Sequence, residues 1–149
     1  MNFKSTKTWG NDVGLSCCFR QWRASHSHCR FLHGYSIGVR LIFSASGLDE
    51  KNWVYDFGDA KWIKAWLQDQ FDHKTVVAKD DPEMSMFVEM QSRGLVQLTV
   101  LEAVGCEKFA EHIMAAISPK IFDQSQGRVR LESVEVFEHG SNSAMVVAA

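Results

Sequence analysis

The sequence predicts a single α+β domain. Three observations carry this. Apolar residues alternate with period two toward both ends of the chain. Two segments between them repeat apolar residues at helical spacing. No linker, internal repeat or low-complexity stretch divides the 149 residues. With 46% hydrophobic and 23% charged residues, the chain can bury a core, and residues 1–149 are taken as one domain.

The first strand is predicted from Val13, where Val13, Leu15, Cys17 and Phe19 alternate with Gly14, Ser16, Cys18 and Arg20. A polar loop, residues 23–30, follows. In the next strand His33, Tyr35, Ile37, Val39, Leu41 and Phe43 share one face, which places His33 toward the core. Ser46-Gly47-Leu48-Asp49 predicts a turn and Trp53-Val54-Tyr55 a short return strand. A helix then begins near 56–59, with Trp62, Ile63, Trp66, Leu67 and Phe71 inward. Asp81-Pro82 and Gly94 bracket a shorter helix over 82–93. Val96 to Leu101 forms a strand or an arm. A second long helix spans 106–118, with Phe109, Ala110, Ile113 and Ile117 inward. The last strand, 129–139, changes phase between Leu131 and Val134, which predicts a bulge near Ser133. Beyond that bulge Glu138 points inward. The order is strand, strand, helix, short helix, strand, helix, strand, with antiparallel hairpins. No Gly-rich phosphate loop is present, so a doubly wound nucleotide fold is excluded.

Charge and cysteine usage narrow the function classes. Sixteen Lys and Arg against eighteen Asp and Glu give a formal charge of −2, a poor footprint for nucleic acid. No apolar run approaches the ~20 residues that span a bilayer, and the polar start lacks a signal-peptide core. A cytoplasmic protein with reduced thiols is the expectation. Four Cys and six His are nevertheless many, with His26, His28 and His33 close together.

Four groups of residues could carry chemistry. Cys29, just ahead of a strand and near several His, suits a nucleophile, a base or a metal cluster, or else belongs to a solvated loop. In Asp72-His73 the carboxylate can orient the imidazole, unless both are simply helix-end charges. Glu138, an inward acid, either accepts hydrogen bonds from a ligand with adjacent N–H groups or pairs with Arg128 or Arg130. Arg20, Arg23 and Arg30 bracket one loop and suit a phosphate-bearing ligand, or are ordinary surface charge.

Taken in order, these features resemble one family, the 6-pyruvoyl- and 6-carboxy-tetrahydropterin synthases. The matching residues are Leu15-Ser16-Cys17-Cys18-Phe19-Arg20, Cys29 with His33-Gly34-Tyr35, Asp56-Phe57, Asp72-His73, Gly105-Cys106-Glu107 and Glu138. The match spans Leu15 to His139, with an extra segment near 80–94. The resemblance implies a four-stranded antiparallel sheet backed by two main helices, a tunnelling fold whose subunits close a barrel. It further implies a homohexamer or other homo-oligomer with active sites between subunits. The implied substrate is a pterin triphosphate, 7,8-dihydroneopterin triphosphate, and the implied product is 6-carboxy-tetrahydropterin on the route to 7-deazaguanines such as queuosine. The alternatives are 6-pyruvoyl-tetrahydropterin synthase activity and a catalytically altered pterin-binding homologue. Carried over by position, Cys29, Asp72 and His73 perform proton transfer. Glu138 anchors the pterin, and Glu107, which matches the family's helix-opening acid, is the second substrate-binding residue.

The resemblance also implies zinc held by three His, but two of those positions are Phe19 and Tyr35, and only His33 remains. Either His33, Cys17 and His28 form a rebuilt metal set, or the site has no metal and Tyr35 or an arginine takes the electrophilic role.

Overall fold

The computed structural model describes residues 1–149. Its strands are β1 (Phe3–Trp9), β2 (Leu15–Phe19), β3 (His33–Ala45), β4 (Lys74–Ala78), β5 (Leu98–Leu101), β6 (Arg130–His139) and β7 (Asn142–Val147). Its helices are α1 (Lys61–Phe71), α2 (Met84–Ser92) and α3 (Cys106–Gln124). The α+β class holds. The sheet, however, has seven strands and is mixed, and three helices accompany it. The strand order is β5-β4-β2-β3-β6-β7, with β1 also on β3. β4 runs parallel to both β2 and β5, while the other pairings are antiparallel.

The thirteen-residue β3 organises the sheet. Its first part pairs with β2, from Phe19 opposite His33 to Leu15 opposite Ile37. Its second part pairs with β1, from Trp9 opposite Val39 to Phe3 opposite Ala45. Residues 10–14 arch out between the two partners, around a single 3-10 turn. Gly38 faces that arch, and a Cβ there would lie 3.1 Å from the Trp9 carbonyl oxygen and 3.2 Å from the Asn11 nitrogen. Along the other edge β6 carries the predicted bulge. Phe43 faces Leu131 and Ile42 faces Ser133, so Glu132 is the extra residue.

The core lies between this sheet and the two long helices. Ile37, Val39, Leu41 and Phe43 of β3 are fully buried with Ile63 and Leu67 of α1 and Phe109, Ile113 and Ile117 of α3. α1 and α3 run antiparallel. Trp62 Nε1 donates to Gln124 Oε1 at one end (3.2 Å), and Phe71 packs on Phe109 at the other (5.2 Å). The longest helix continues past Pro119, where a stop was predicted. Pro119 faces solvent, and Ile121 beyond it is buried. Trp53-Val54-Tyr55 is not a strand. Asp49 Oδ1 accepts the backbone N–H groups of Lys51 and Trp53, both at 2.9 Å, and folds the segment into turns.

The segment near 80–94 has a topological reason. Parallel neighbours β4 and β5 need a crossover, and α2 lies within it. Its head is also a clamp. Asp81 takes a two-pronged bond from Arg20, with Nε at 2.8 Å and a terminal nitrogen at 2.6 Å. Asp80 accepts from Arg23 (2.6 Å) and from Trp22 Nε1 (3.2 Å). Two of the three arginines expected at a phosphate site are therefore held by carboxylates. Arg30 stacks on Phe31 (4.3 Å) and donates to the Ser27 carbonyl (3.2 Å).

Burial works against the Asp81 carboxylate, but the bond from Arg20, the Glu83 N–H and the Arg20 charge outweigh it and lower its pKa. Its contribution is complete above the ordinary Asp value of ~3.9 and is lost as pH falls through the lowered folded value. Replacing one member of such a buried pair leaves the other uncompensated. Asp81→Asn should cost about 2 kcal/mol at neutral pH. Denaturant titrations at several pH values should show that cost shrinking in acid; an unchanged midpoint at neutral pH would discount the clamp.

Candidate active site

The site begins where β2 ends and β3 starts, the first residues of β3 lying beyond the cover of the helices. Cys17 faces Tyr35 and Phe19 faces His33 across the two strands, so the predicted shared face is present. The strand end outruns its cover, however, and His33 is exposed rather than in the core, while Tyr35 is half-buried. Phe19 is fully buried and stacks on Tyr35, with centroids 4.3 Å apart at 16°. Phe109 of α3 meets Phe19 edge-on at 5.0 Å. The Tyr35 hydroxyl lies 2.9 Å from His33 Nε2. Burial first, then the charges of Glu138, Cys29, Cys106 and Cys17, push the phenol up to about 12.

The rebuilt metal set of His33, Cys17 and His28 is not assembled. No three His, Cys, Asp or Glu side chains are grouped so that they could hold a metal ion within the chain. His28 sits in an exposed turn, His28–Arg30, with its ring 6.2 Å from that of Phe31. Cys17 is buried beneath the strand face, and burial pushes its thiol up to about 12. Phe19 offers no donor. These residues do not fit zinc.

Cys29 is exposed at the mouth of the site. Its turn is stitched at both ends: Ser27 Oγ accepts the Cys29 N–H (3.1 Å), and the Cys29 carbonyl accepts the Gln21 N–H (2.7 Å). Asp72 and His73 form the expected dyad, with Oδ1 2.9 Å from Nδ1. Asp72 Oδ1 also accepts the Ser16 N–H (3.3 Å), and the His73 N–H donates to the Ser16 carbonyl (2.6 Å). His73 takes φ +57° to turn the chain from α1 into β4, which leaves its ring in solvent. No hydrogen bond joins this dyad to Cys29 within one chain.

Glu138 and Glu107 line a small cavity of about 140 Å³, together with Gln21, Cys106, Asn142 and Ser143. The cations considered for Glu138 are engaged elsewhere. Arg128 donates to the Gly47 and Trp53 carbonyls (3.2 and 3.4 Å), and Arg130 lies over Phe122 (5.4 Å). Burial, then the charges of Glu138 and Glu107, push the Cys106 thiol up to about 12. Gly105, just ahead of α3, has φ +119°, and a Cβ there would overlap Gln21 Nε2. Gln21, Cys106, Asn142 and Ser143 were not foreseen as site residues. The phase of β6 could have pointed to a partner strand for Glu138, but Gln21 belongs to no recognisable motif.

The chain as a whole matches a known family. A sequence profile described as 6-pyruvoyl tetrahydropterin synthase matches residues 11–149. The chain belongs to that family. Its members are tetrahydropterin synthases, which are lyases. A Rickettsia felis protein named 6-carboxy-5,6,7,8-tetrahydropterin synthase is 32% identical over 95 residues, 63% of this chain and 68% of its own. A Rickettsia bellii protein of the same name is 28% identical over 111 residues, 74% and 78% of the two chains. Among solved structures, an uncharacterized protein of Wolinella succinogenes superposes with a TM-score of 0.85 at 18% identity, covering 100% of this chain and 99% of its own. The 6-pyruvoyl tetrahydropterin synthase of Plasmodium vivax superposes with a TM-score of 0.70 at 15% identity, covering 98% and 97%. At those identities the superpositions establish the family's fold. No helix is long and apolar enough to cross a membrane.

Gly105 is the backbone key to the cavity. Gly105→Ala should destabilise the fold by about 1–2 kcal/mol through strain at positive φ and displacement of Gln21. Chemical denaturation should show Gln21→Ala recovering part of that loss in the double variant, and no recovery would assign the whole cost to φ.

Proposed function

We propose that the protein is a 6-carboxy-tetrahydropterin synthase-like lyase. It acts on 7,8-dihydroneopterin triphosphate in the route to 7-deazaguanines such as queuosine. The observation that carries this reading is Glu138, a carboxylate without a cation, lining a cavity beside the helix-opening acid Glu107. A carboxylate accepts two parallel hydrogen bonds from adjacent N–H donors, which the pyrimidine edge of a pterin presents. The Rickettsia relatives named as 6-carboxy-tetrahydropterin synthases favour this product over 6-pyruvoyl-tetrahydropterin.

In this reading the exposed Cys29 thiolate removes a proton from the substrate side chain. Asp72 fixes the His73 tautomer through Nδ1, so that Nε2 exchanges a proton with solvent or substrate. The dyad is not bonded to Cys29 in one chain, so a neighbouring subunit brings it to the thiol in a homo-oligomer, with a homohexamer as the expected assembly. No three His, Cys, Asp or Glu residues of one chain are grouped to hold zinc, so this reading gives every role to the chain's own side chains.

A second reading, a pterin-binding homologue with altered chemistry, is favoured by the Phe19–Tyr35 stack at the family's metal positions.

Incubation of purified protein with 7,8-dihydroneopterin triphosphate, followed by product chromatography, separates the two. Cys29→Ala should lower kcat by about 100-fold or more. Mixing Cys29→Ala with His73→Ala subunits should restore part of the activity if thiol and dyad come from different chains. Wild-type protein that binds the pterin and releases no product would favour the second reading.

A further inference from the structure

We infer that Tyr35, backed by His33, is the hydrogen-bond donor that holds a side-chain oxygen of the ligand, in a site that works without a bound metal ion. This rests on the pterin reading above and adds a positioning pair to it.

The pair is fixed in place. Phe19 stacks on the Tyr35 ring at 4.3 Å, Phe109 braces Phe19 at 5.0 Å, and the His33 ring lies 4.6 Å from that of Tyr35. Such packing locks the phenol rotamer, so its hydroxyl has a defined position before any ligand arrives. The stack adjoins the Glu138 cavity: Phe19 stands two residues before Gln21 and Phe109 about one turn after Cys106, and both Gln21 and Cys106 line that cavity. In this inference a ring held edge-on by Glu138 directs its substituent toward that stack and toward the Cys29 turn, whose carbonyl accepts the N–H of the cavity residue Gln21.

The hydrogen bond to His33 completes the device. Hydroxyl and Nε2 are 2.9 Å apart. With the proton on Nε2, the imidazole donates to the phenol oxygen, and the phenol proton is free for a ligand oxygen. A phenol keeps that proton at neutral pH, since its ordinary pKa is ~10.

The other candidates for this task are engaged elsewhere or lack donors. Arg20 and Arg23 are bonded to Asp81 and Asp80. Phe19 cannot ligate a metal, and no three ligating side chains converge.

The test combines metal analysis with binding of two probes. Untagged wild-type protein should carry far less than one zinc per chain. Calorimetric titration with 7,8-dihydroneopterin and with 6-methyl-7,8-dihydropterin, which lacks the side-chain hydroxyls, reads the contact directly. Tyr35→Phe should weaken the hydroxylated ligand by about tenfold, the worth of one hydrogen bond, and leave the methyl ligand unchanged. His33→Ala should act in the same direction. Glu138→Gln should weaken both. Both pair positions are at least partly exposed, so melting temperatures near wild type are expected. Stoichiometric zinc, or a Tyr35→Phe effect that is nil or equal for both ligands, overturns the inference. If Glu138→Gln still weakens both ligands in that case, the pterin reading survives. Wild-type protein that binds neither ligand overturns both.

Discussion

The register of β3 is the constraint on which the molecule depends. One continuous strand pairs with β2 and β1 along one edge and with β6 along the other. From Ile37 onward its inward residues are packed under the helices, Tyr35 stands half-buried at the edge of that cover, and His33 lies beyond it. A slip of one residue would turn Val39, Leu41 and Phe43 out to solvent, so the core fixes the register. The same register decides which residues stand opposite Cys17 and Phe19. The site therefore inherits its geometry from a part of the strand that touches no ligand.

How much of this was legible depended on whether inward positions were apolar. β3 and the inward row of α3 were plain because their buried residues are large hydrophobics at regular spacing. The bulge was plain because Glu132 breaks an otherwise strict alternation. β1 was not, since its inward face includes Ser5 and Lys7. The Lys7 ammonium lies 5.8 Å from the ring centres of both Trp9 and Phe57, and a polar residue in that role erases the periodic signal. β4 was hidden for the opposite reason: Thr75 to Ala78 are all buried, as in strands covered on both faces, and show no alternation. Within the site, Cys29, Glu107, Glu138 and the Asp72-His73 dyad could be read from their order along the chain. Parity assigned His33 to the right face but could not show that the face ends before reaching it. Gln21 was invisible, because its place follows from a turn bonded to Cys29 and from an arginine clamp more than fifty residues away in sequence.

Phe19, Tyr35 and His33 show how a site can be preorganised by packing. A metal ion gathers its ligands by charge and demands deprotonated donors. Here burial raises the thiols of Cys17 and Cys106, and an aromatic stack fixes the position of the Tyr35 ring. Such a stack is insensitive to chelators and to metal supply, but it depends on the fit of α3, since Phe109 braces Phe19. The chemistry of the mouth and the packing of the longest helix are thus parts of one arrangement.

The clamp at the head of α2 has a consequence for how this chain can diversify. Asp80 and Asp81 neutralise Arg23 and Arg20 beside the loop that leads to Cys29. The crossover segment and those arginines form a matched set. A descendant that shortened the segment and lost both acids would uncover two guanidinium groups at once, next to the opening of the site. A change of connectivity on the far side of β4 would then be felt as a change in which anions the opening attracts, with no residue of the cavity altered. Insertion length and ligand charge are heritable together in this protein.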